Sequence, residues 1–387
     1  MKEIKGFRNS HILTEQGIIK TNLLIENGII KKIGDFECDG LIELPSDRLV
    51  IPGFIDEHIH GTCGSDVIDG SIEALENISN SLVKEGTTAF LATTTTISKD
   101  ILEKTLNTVN EYISNSSNKG ATIIGVHLEG PFISKKYLGA QLGEFVERPA
   151  IELFNHYNNI SGNNIKLVSY AVEEDLDFNF TKYLKSLNIT PSIGHSAASY
   201  NDIVEAVSNG LSCSTHTYNA QRGIHHREVG TVGGVMLLDD IYTEVICDFI
   251  HVSYPAIKLL LKNKPYDKII LVTDSLRPKY LSDGKYIEPG GQVIIVKDGV
   301  ARLEDGTIAG SMLKMNQAVF NMIKYLGVSM VDAVKFATAN PAKNLGVFDK
   351  MGSIEEGKCA NLLVVDQNIN IYKTIRNGFI VYESEEE

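Results

Sequence analysis

Eight short runs rich in Val, Ile, Leu and Thr recur through the middle of the chain, at residues 50–59, 89–93, 123–128, 166–171, 192–194, 212–218, 243–247 and 268–272. Stretches of helical spacing or helix-forming composition fall between several of them, at 72–84, 99–113, 201–208 and 255–262. Parallel strands need a long crossover, which a helix supplies, so strands and helices in serial alternation predict a parallel sheet. Eight such units predict an α/β fold with a closed (β/α)8 barrel of the TIM type. The crossover before residue 212 is short, and residues 221–234 read as a long polar loop containing Gly and several His. Loops of that length in compact domains are often functional.

The two ends of the chain carry a different pattern. Asn27-Gly28 interrupts the apolar stretch 23–30, and Asn377-Gly378 interrupts 374–381. Asn-Gly between alternating apolar residues signals a hairpin, because a type I′ turn needs positive φ at both central positions. A lone hairpin is marginal in water, so each needs further strands, and the nearest belong to the opposite terminus. Residues 1–50 and 346–387 are therefore expected to form one small discontinuous β domain, leaving 51–345 for the barrel. The acidic stretch 383–387 reads as a solvated tail.

The 387 residues include 36 Lys and Arg against 49 Asp and Glu, a formal charge of −13. That balance argues against a broad nucleic-acid or anionic-membrane surface, and an anionic substrate would need a small local basic pocket. The N-terminal stretch lacks an apolar signal core, and no apolar run approaches the roughly 18 residues of a membrane span. A cytoplasmic protein is expected. The five cysteines are scattered without a CxxC pair, which suggests neither a disulfide framework nor a thiolate zinc site. Cys213 and Cys247, inside strand-like runs, read as small buried hydrophobes.

Polar residues cluster where the strand-like runs end. His58 and His60 are two apart, so on a strand they project from one face and can grip one ion. The following runs end in His127-Leu128-Glu129, His195, His216 and Asp274. Active sites of barrels are built on the C-terminal face of the strands, and five strands ending in His, Glu or Asp mark that face. His127 is read as a buried supporting residue rather than a ligand. Imidazole and carboxylate without thiolate suit a catalytic divalent ion, zinc or iron before others, with a position left for water.

These motifs, in the order PGFIDEHIHG, HLEGPF, IGHS, THTYNA, HREVG, LVTDS, AGS, ATANPAKNLG and IEEGKCANLLVVD, span nearly the whole chain. In this order and spacing the chain resembles the N-acetylglucosamine-6-phosphate deacetylases of the amidohydrolase superfamily. The resemblance implies a barrel with a small β-sandwich from both termini and a metal-dependent deacetylase acting on an amino-sugar phosphate as a homodimer. Carried over residue by residue, it makes Glu129, His195 and His216 the ligands of the principal ion. His58 and His60, with Glu129 as bridge, would hold a second, so one or two ions are expected. It makes Asp274 the catalytic acid and base. Substrate contacts implied are Ala140, Gln141, Asn219, Ala220, Asp248, His251 and the backbone of Ile308, Ala309 and Gly310. Arg227 is implied to reach the phosphate across the dimer interface.

The chain departs from the family pattern at Gln141, where a histidine usually stands twelve residues after the metal-binding glutamate. Its amide can donate a hydrogen bond but cannot carry positive charge. Gln221 also replaces a more usual Met. Two other readings stay open: another metal amidohydrolase on the same scaffold, or a catalytically weak sugar-phosphate binding protein, supported by Gln141 alone. Epimer preference, N-acetylglucosamine or N-acetylgalactosamine 6-phosphate, stays open too.

Overall fold

The computed structural model describes residues 2–115 and 119–385. Glu386 and Glu387 of the acidic tail lie outside the described residues. The expected strands form one eight-stranded parallel sheet in sequential order. They are β1 (Phe54–Ile59), β2 (Thr87–Thr93), β3 (Thr122–Glu129), β4 (Ile165–Tyr170), β5 (Thr190–Ile193), β6 (Cys213–Ser214), β7 (Tyr242–Val245) and β8 (Ile269–Leu271). The four expected helices are present as Ile72–Leu82, Lys99–Asn115, Tyr200–Ser208 and Tyr254–Asn263, and Ile151–Ile160 and Asn179–Ser186 supply further crossovers. Cys213 and Cys247 are fully buried, and all five cysteines are free.

β1 and β8 share no ladder, yet the barrel closes between them. At the mouth, Asp274 N donates to His58 O (2.8 Å) and His60 N to Ser275 O (3.0 Å). Below, a side chain replaces the missing rungs. Asp56 Oδ1 accepts from His58 N and Thr273 N, both at 3.3 Å, and Oδ2 lies 2.6 Å from Thr273 Oγ1. Burial pushes the Asp56 carboxyl up to about 7, against the hydrogen bond from Thr273.

Three expectations are corrected. The run 50–59 divides at Pro52-Gly53: Leu49–Pro52 pairs antiparallel with Leu362–Val365 in the terminal sheet, and only Phe54–Ile59 enters the barrel. Gly53 marks the crossing point because a Cβ there would stand 2.4 Å from the Thr88 side chain. In the run 212–218, only Cys213–Ser214 is strand; the backbone then turns, with φ of 29° at His216 and 85° at Tyr218. The loop 221–234 is shorter than expected, because the helix Gly230–Leu237 starts inside it. Glycine disfavours helices, but Gly234 packs where a Cβ would meet Ile203 Cδ1 at 2.5 Å, so close packing outweighs propensity.

Strands from both termini form a nine-stranded sheet, in which Leu362–Val365 and Gly6–Thr14 flank Leu49–Pro52. Both hairpins turn as read: φ is 54° and 76° at Asn27 and Gly28, and 48° and 78° at Asn377 and Gly378. The turns are joined through Ala360, whose N donates to Gly28 O (2.8 Å) and whose O accepts from Gly378 N (3.1 Å). Phe7, Leu23, Ile30, Val50, Leu362, Val364 and Ile375 fill one core between the halves. A three-stranded antiparallel insert, Gly284–Ile287, Val293–Lys297 and Val300–Leu303, follows β8 and had no counterpart in the sequence reading.

Candidate active site

Glu129, at the end of β3, is the residue on which the expected ligands converge. Its Oε1 lies 3.0 Å from His216 Nε2, 3.3 Å from His195 Nε2 and 3.5 Å from His58 Nε2, while Oε2 lies 3.4 Å from His60 Nε2. Asp274 Oδ1 closes the group at 3.1 Å from His60 Nε2 and 3.4 Å from His58 Nε2. All six residues are buried. Period-two alternation aims His58 and His60 inward together, whereas His195, His216 and Asp274 follow short strands in left-handed conformations, with φ of 46°, 29° and 47°. Such backbone strain in non-glycine residues concentrates at functional sites.

Hydrogen bonds fix which ring nitrogens face inward. His195 Nδ1 lies 2.9 Å from Tyr137 O and donates to it, and His58 Nδ1 lies 3.0 Å from Glu244 Oε2. Both Nε2 atoms are thereby left as lone-pair donors toward Glu129. His58 Nε2 is buried and makes no hydrogen bond. A buried, unpaired imidazole nitrogen beside Glu129 and Asp274, in a cluster without thiolate, fits a divalent ion of the zinc or iron type.

The charges act strongly on one another. Burial alone would raise the Glu129 carboxyl, but His58, His195, His216 and His60 hold it well below the usual range. Burial likewise opposes ionisation of Asp274, yet His58, His60 and His216 bring it down to about 2. His58 is raised to about 9 because Asp274, Glu129 and Glu244 outweigh its burial, and His60 is raised well above its usual value by Asp274 and Glu129. His127 behaves differently: burial and the neighbouring His58 push it well down, and its Nε2 bonds Ser169 Oγ at 2.6 Å. Its ring packs edge-on to His58 at 4.5 Å beneath the cluster.

Above the cluster opens a cavity of about 250 Å³. Ala140, Gln141, Asn219, Ala220, His251, Ile308, Ala309 and Gly310 all line it, together with Gly290, Gln292 and Ile294 from the insert. Gly310 has φ of 39°, and a Cβ there would stand 2.9 Å from Asp274 O. Asp248 is not in the wall. It sits behind, with Oδ2 2.6 Å from His251 Nδ1, and raises His251 against the effect of burial. Arg227 is also outside the cavity of its own chain, exposed on the loop beside His225 and His226. Among the described residues, no Lys or Arg lines the cavity.

Sequence reasoning missed two participants. Glu244 lies in the middle of β7, where an acidic residue inside an apolar run was the available signal. The other is the pair Thr95 and Thr96, which take Gln141 Oε1 through Thr95 Oγ1 (2.7 Å) and Thr96 N (2.6 Å) and so turn its amide nitrogen toward Glu129.

The profile of the Amidohydrolase family matches residues 49–381. The chain is 40% identical to the N-acetylglucosamine-6-phosphate deacetylase of Bacillus subtilis (strain 168), over 100% of this chain and 99% of that one. It is 30% identical to the N-acetylgalactosamine-6-phosphate deacetylase of Escherichia coli O157:H7, covering 94% and 96% of the two chains. The crystal structure of the N-acetylglucosamine-6-phosphate deacetylase of Thermotoga maritima superposes with a TM-score of 0.88 at 34% identity, covering 98% of this chain and 100% of that one. With a family profile over most of its length, a structural relative of the same barrel and relatives matched from end to end, the chain belongs to the metal-dependent amidohydrolase family.

Proposed function

We propose that this protein hydrolyses the acetamide of N-acetylglucosamine 6-phosphate, giving glucosamine 6-phosphate and acetate. The observation that carries this reading is the convergence of four histidines on Glu129, with Asp274 against His58 and His60, at the base of a cavity of about 250 Å³. Relatives that carry out this deacetylation align over the full chain.

Glu129, His195 and His216 would hold the principal ion, and His58 and His60, with Glu129 bridging, a second; zinc or iron suits the donor set. An ion held there acidifies a bound water and stabilises negative charge on the acetyl oxygen. Asp274, ionised at neutral pH, takes the proton of the attacking water and delivers it to the sugar nitrogen as the C–N bond breaks. Gln141 has a second amide hydrogen beyond the one given to Glu129, and it donates to the acetyl carbonyl. His251, braced by Asp248, and the backbone of Ile308, Ala309 and Gly310 bind the sugar, and Asn219 and Ala220 bind the phosphate.

Among the described residues the wall holds no Lys or Arg, and the chain carries a net charge of −13, so a phosphate dianion gains from a guanidinium or ammonium brought by a second subunit. A homodimer in which the exposed Arg227 enters the neighbouring site supplies one, with the bidentate fork that phosphate favours. The reading includes a cytoplasmic location, and among the described residues no helix is long and apolar enough to cross a membrane. It also divides the chain into a terminal β domain, 1–50 with 346–387, and a catalytic barrel, 51–345.

Acetate release from the 6-phosphates of N-acetylglucosamine and N-acetylgalactosamine, and from the plain sugars, tests the proposal. Chelator-sensitive release from a phosphorylated sugar is expected, and the faster epimer identifies the substrate. A metal-loaded protein that releases no acetate from either phosphate overturns it.

A further inference from the structure

We infer that Glu244 is a positioning residue that couples the two halves of the metal-binding cluster through a single carboxylate oxygen. Glu244 Oε2 lies 3.0 Å from His58 Nδ1 and 2.9 Å from the backbone N of His216. The first contact requires a proton on His58 Nδ1 and so presents the Nε2 lone pair to Glu129 and Asp274. The second anchors the main chain at the left-handed His216, whose Nε2 faces Glu129 and His195. One oxygen therefore sets a ring tautomer on β1 and a backbone position after β6. The inference rests on the metal-dependent reading of this site.

The other side of Glu244 explains why it stays in place. The carboxyl of Glu57 lies within 4.8 Å of it, and Asn344 Nδ2 holds Glu57 Oε1 at 2.9 Å and Cys213 Sγ at 3.5 Å. Glu57, Cys213 and Glu244 are all fully buried. Glu57 Oε2 and Glu244 Oε1 are both buried without a hydrogen-bond donor among the described residues. Glu244 is thus enclosed from below by the buried Glu57 and Cys213, which Asn344 holds in place.

The test measures zinc binding to the full chain by competition with a chromophoric chelator, with elemental analysis for stoichiometry. Losing an outer hydrogen-bond partner of a ligand histidine typically weakens metal binding about tenfold to a hundredfold, which is the loss expected for Glu244→Ala. Glu244→Gln keeps an oxygen for both donors, and neutral hydrogen bonds are about half as strong as charged ones, so a loss of about threefold to tenfold is expected. Either loss should shrink in a His58→Ala background, where only the contact to the His216 backbone is left to lose. Wild-type affinity in both variants, or a loss undiminished without His58, overturns the inference. If Glu244→Ala does not fold, the Glu244→Gln cycle decides alone, and wild-type affinity there overturns it. A wild-type chain that binds zinc but releases no acetate removes only the deacetylase reading; one that binds no zinc removes both.

Discussion

Gln141 Nε2 donates a 2.8 Å hydrogen bond to Glu129 Oε2, so its amide is tied to the carboxylate on which four histidines converge. Thr95 and Thr96 occupy its oxygen, which leaves the amide one way to lie. A hydrogen bond to a charged group is worth about 1.5–3 kcal/mol. Gln141→Ala should therefore lower kcat/KM about tenfold to a hundredfold in acetate-release assays, whereas Gln141→Glu, placing a third carboxyl beside Glu129 and Asp274, should be worse. Unchanged kinetics in Gln141→Ala would remove it from the reaction.

Asp274 touches both His58 and His60, so it is placed either to move protons or to serve as one more ligand. Loss of a general acid–base group costs typically about 10² to 10⁴ in rate. Asp274→Asn should show that loss in kcat with its metal content intact by elemental analysis. Retained metal with near-normal kcat would leave Asp274 with no proton-shuttle role.

Arg227 is exposed in its own subunit, and among the described residues the cavity it is proposed to serve has no Lys or Arg in its wall. Arg227→Ala should reduce kcat/KM for the phosphorylated sugar about tenfold to a hundredfold and leave the plain sugar unaffected, as removal of one charged contact implies. An equal effect on both sugars would point to folding or assembly instead.

The barrel was legible because its period of strand and helix is long and repetitive, and the cluster of His, Glu and Asp because its members stand at strand ends. The two Asn-Gly turns were legible because their chemistry is local. What escaped depends on contacts between distant residues. Glu244 is one acidic side chain in a four-residue strand, and only the fold brings it to His58. The helix Gly230–Leu237 is rich in glycine and forms because Gly234 fits against Ile203, a fact of packing that propensity cannot carry. Arg227 was assigned to phosphate by resemblance alone; the wall without Lys or Arg gives that assignment a physical motive.

Removal of metal should make the fold sensitive to pH. His58 stands at about 9 in the folded chain against 6.5 for the free side chain, so its proton favours the folded state. That contribution is complete below pH 6.5 and disappears as pH rises through about 9. Asp274, lowered from 3.8 to about 2, acts in the opposite sense: its contribution is present above pH 3.8 and is lost as pH falls toward 2. In chelator, Tm should therefore decline from pH 6.5 to 9. Added zinc should raise Tm more at the upper end of that range, where protons compete less for the His58 nitrogen. A flat Tm in chelator across the range would contradict the charged state assigned to His58.

Asp56 offers a test of how the barrel closes. Its carboxyl takes the place of ladder hydrogen bonds between β1 and the segment after β8, accepting from His58 N and Thr273 N. Because burial raises this group to about 7, its fit does not depend on a negative charge. Asp56→Asn keeps an oxygen for the two backbone donors and an NH₂ for Thr273 Oγ1, and should be tolerated with little loss. Asp56→Ala leaves two buried N–H groups without acceptors, at about 1–3 kcal/mol each, so a loss on the order of 2–6 kcal/mol is expected in denaturant unfolding. The same substitution frees the strand that carries His58 and His60, so metal affinity should fall along with stability. Equal stability of the Asn and Ala variants would mean that the seam is held by the mouth contacts of Asp274 and His60 alone.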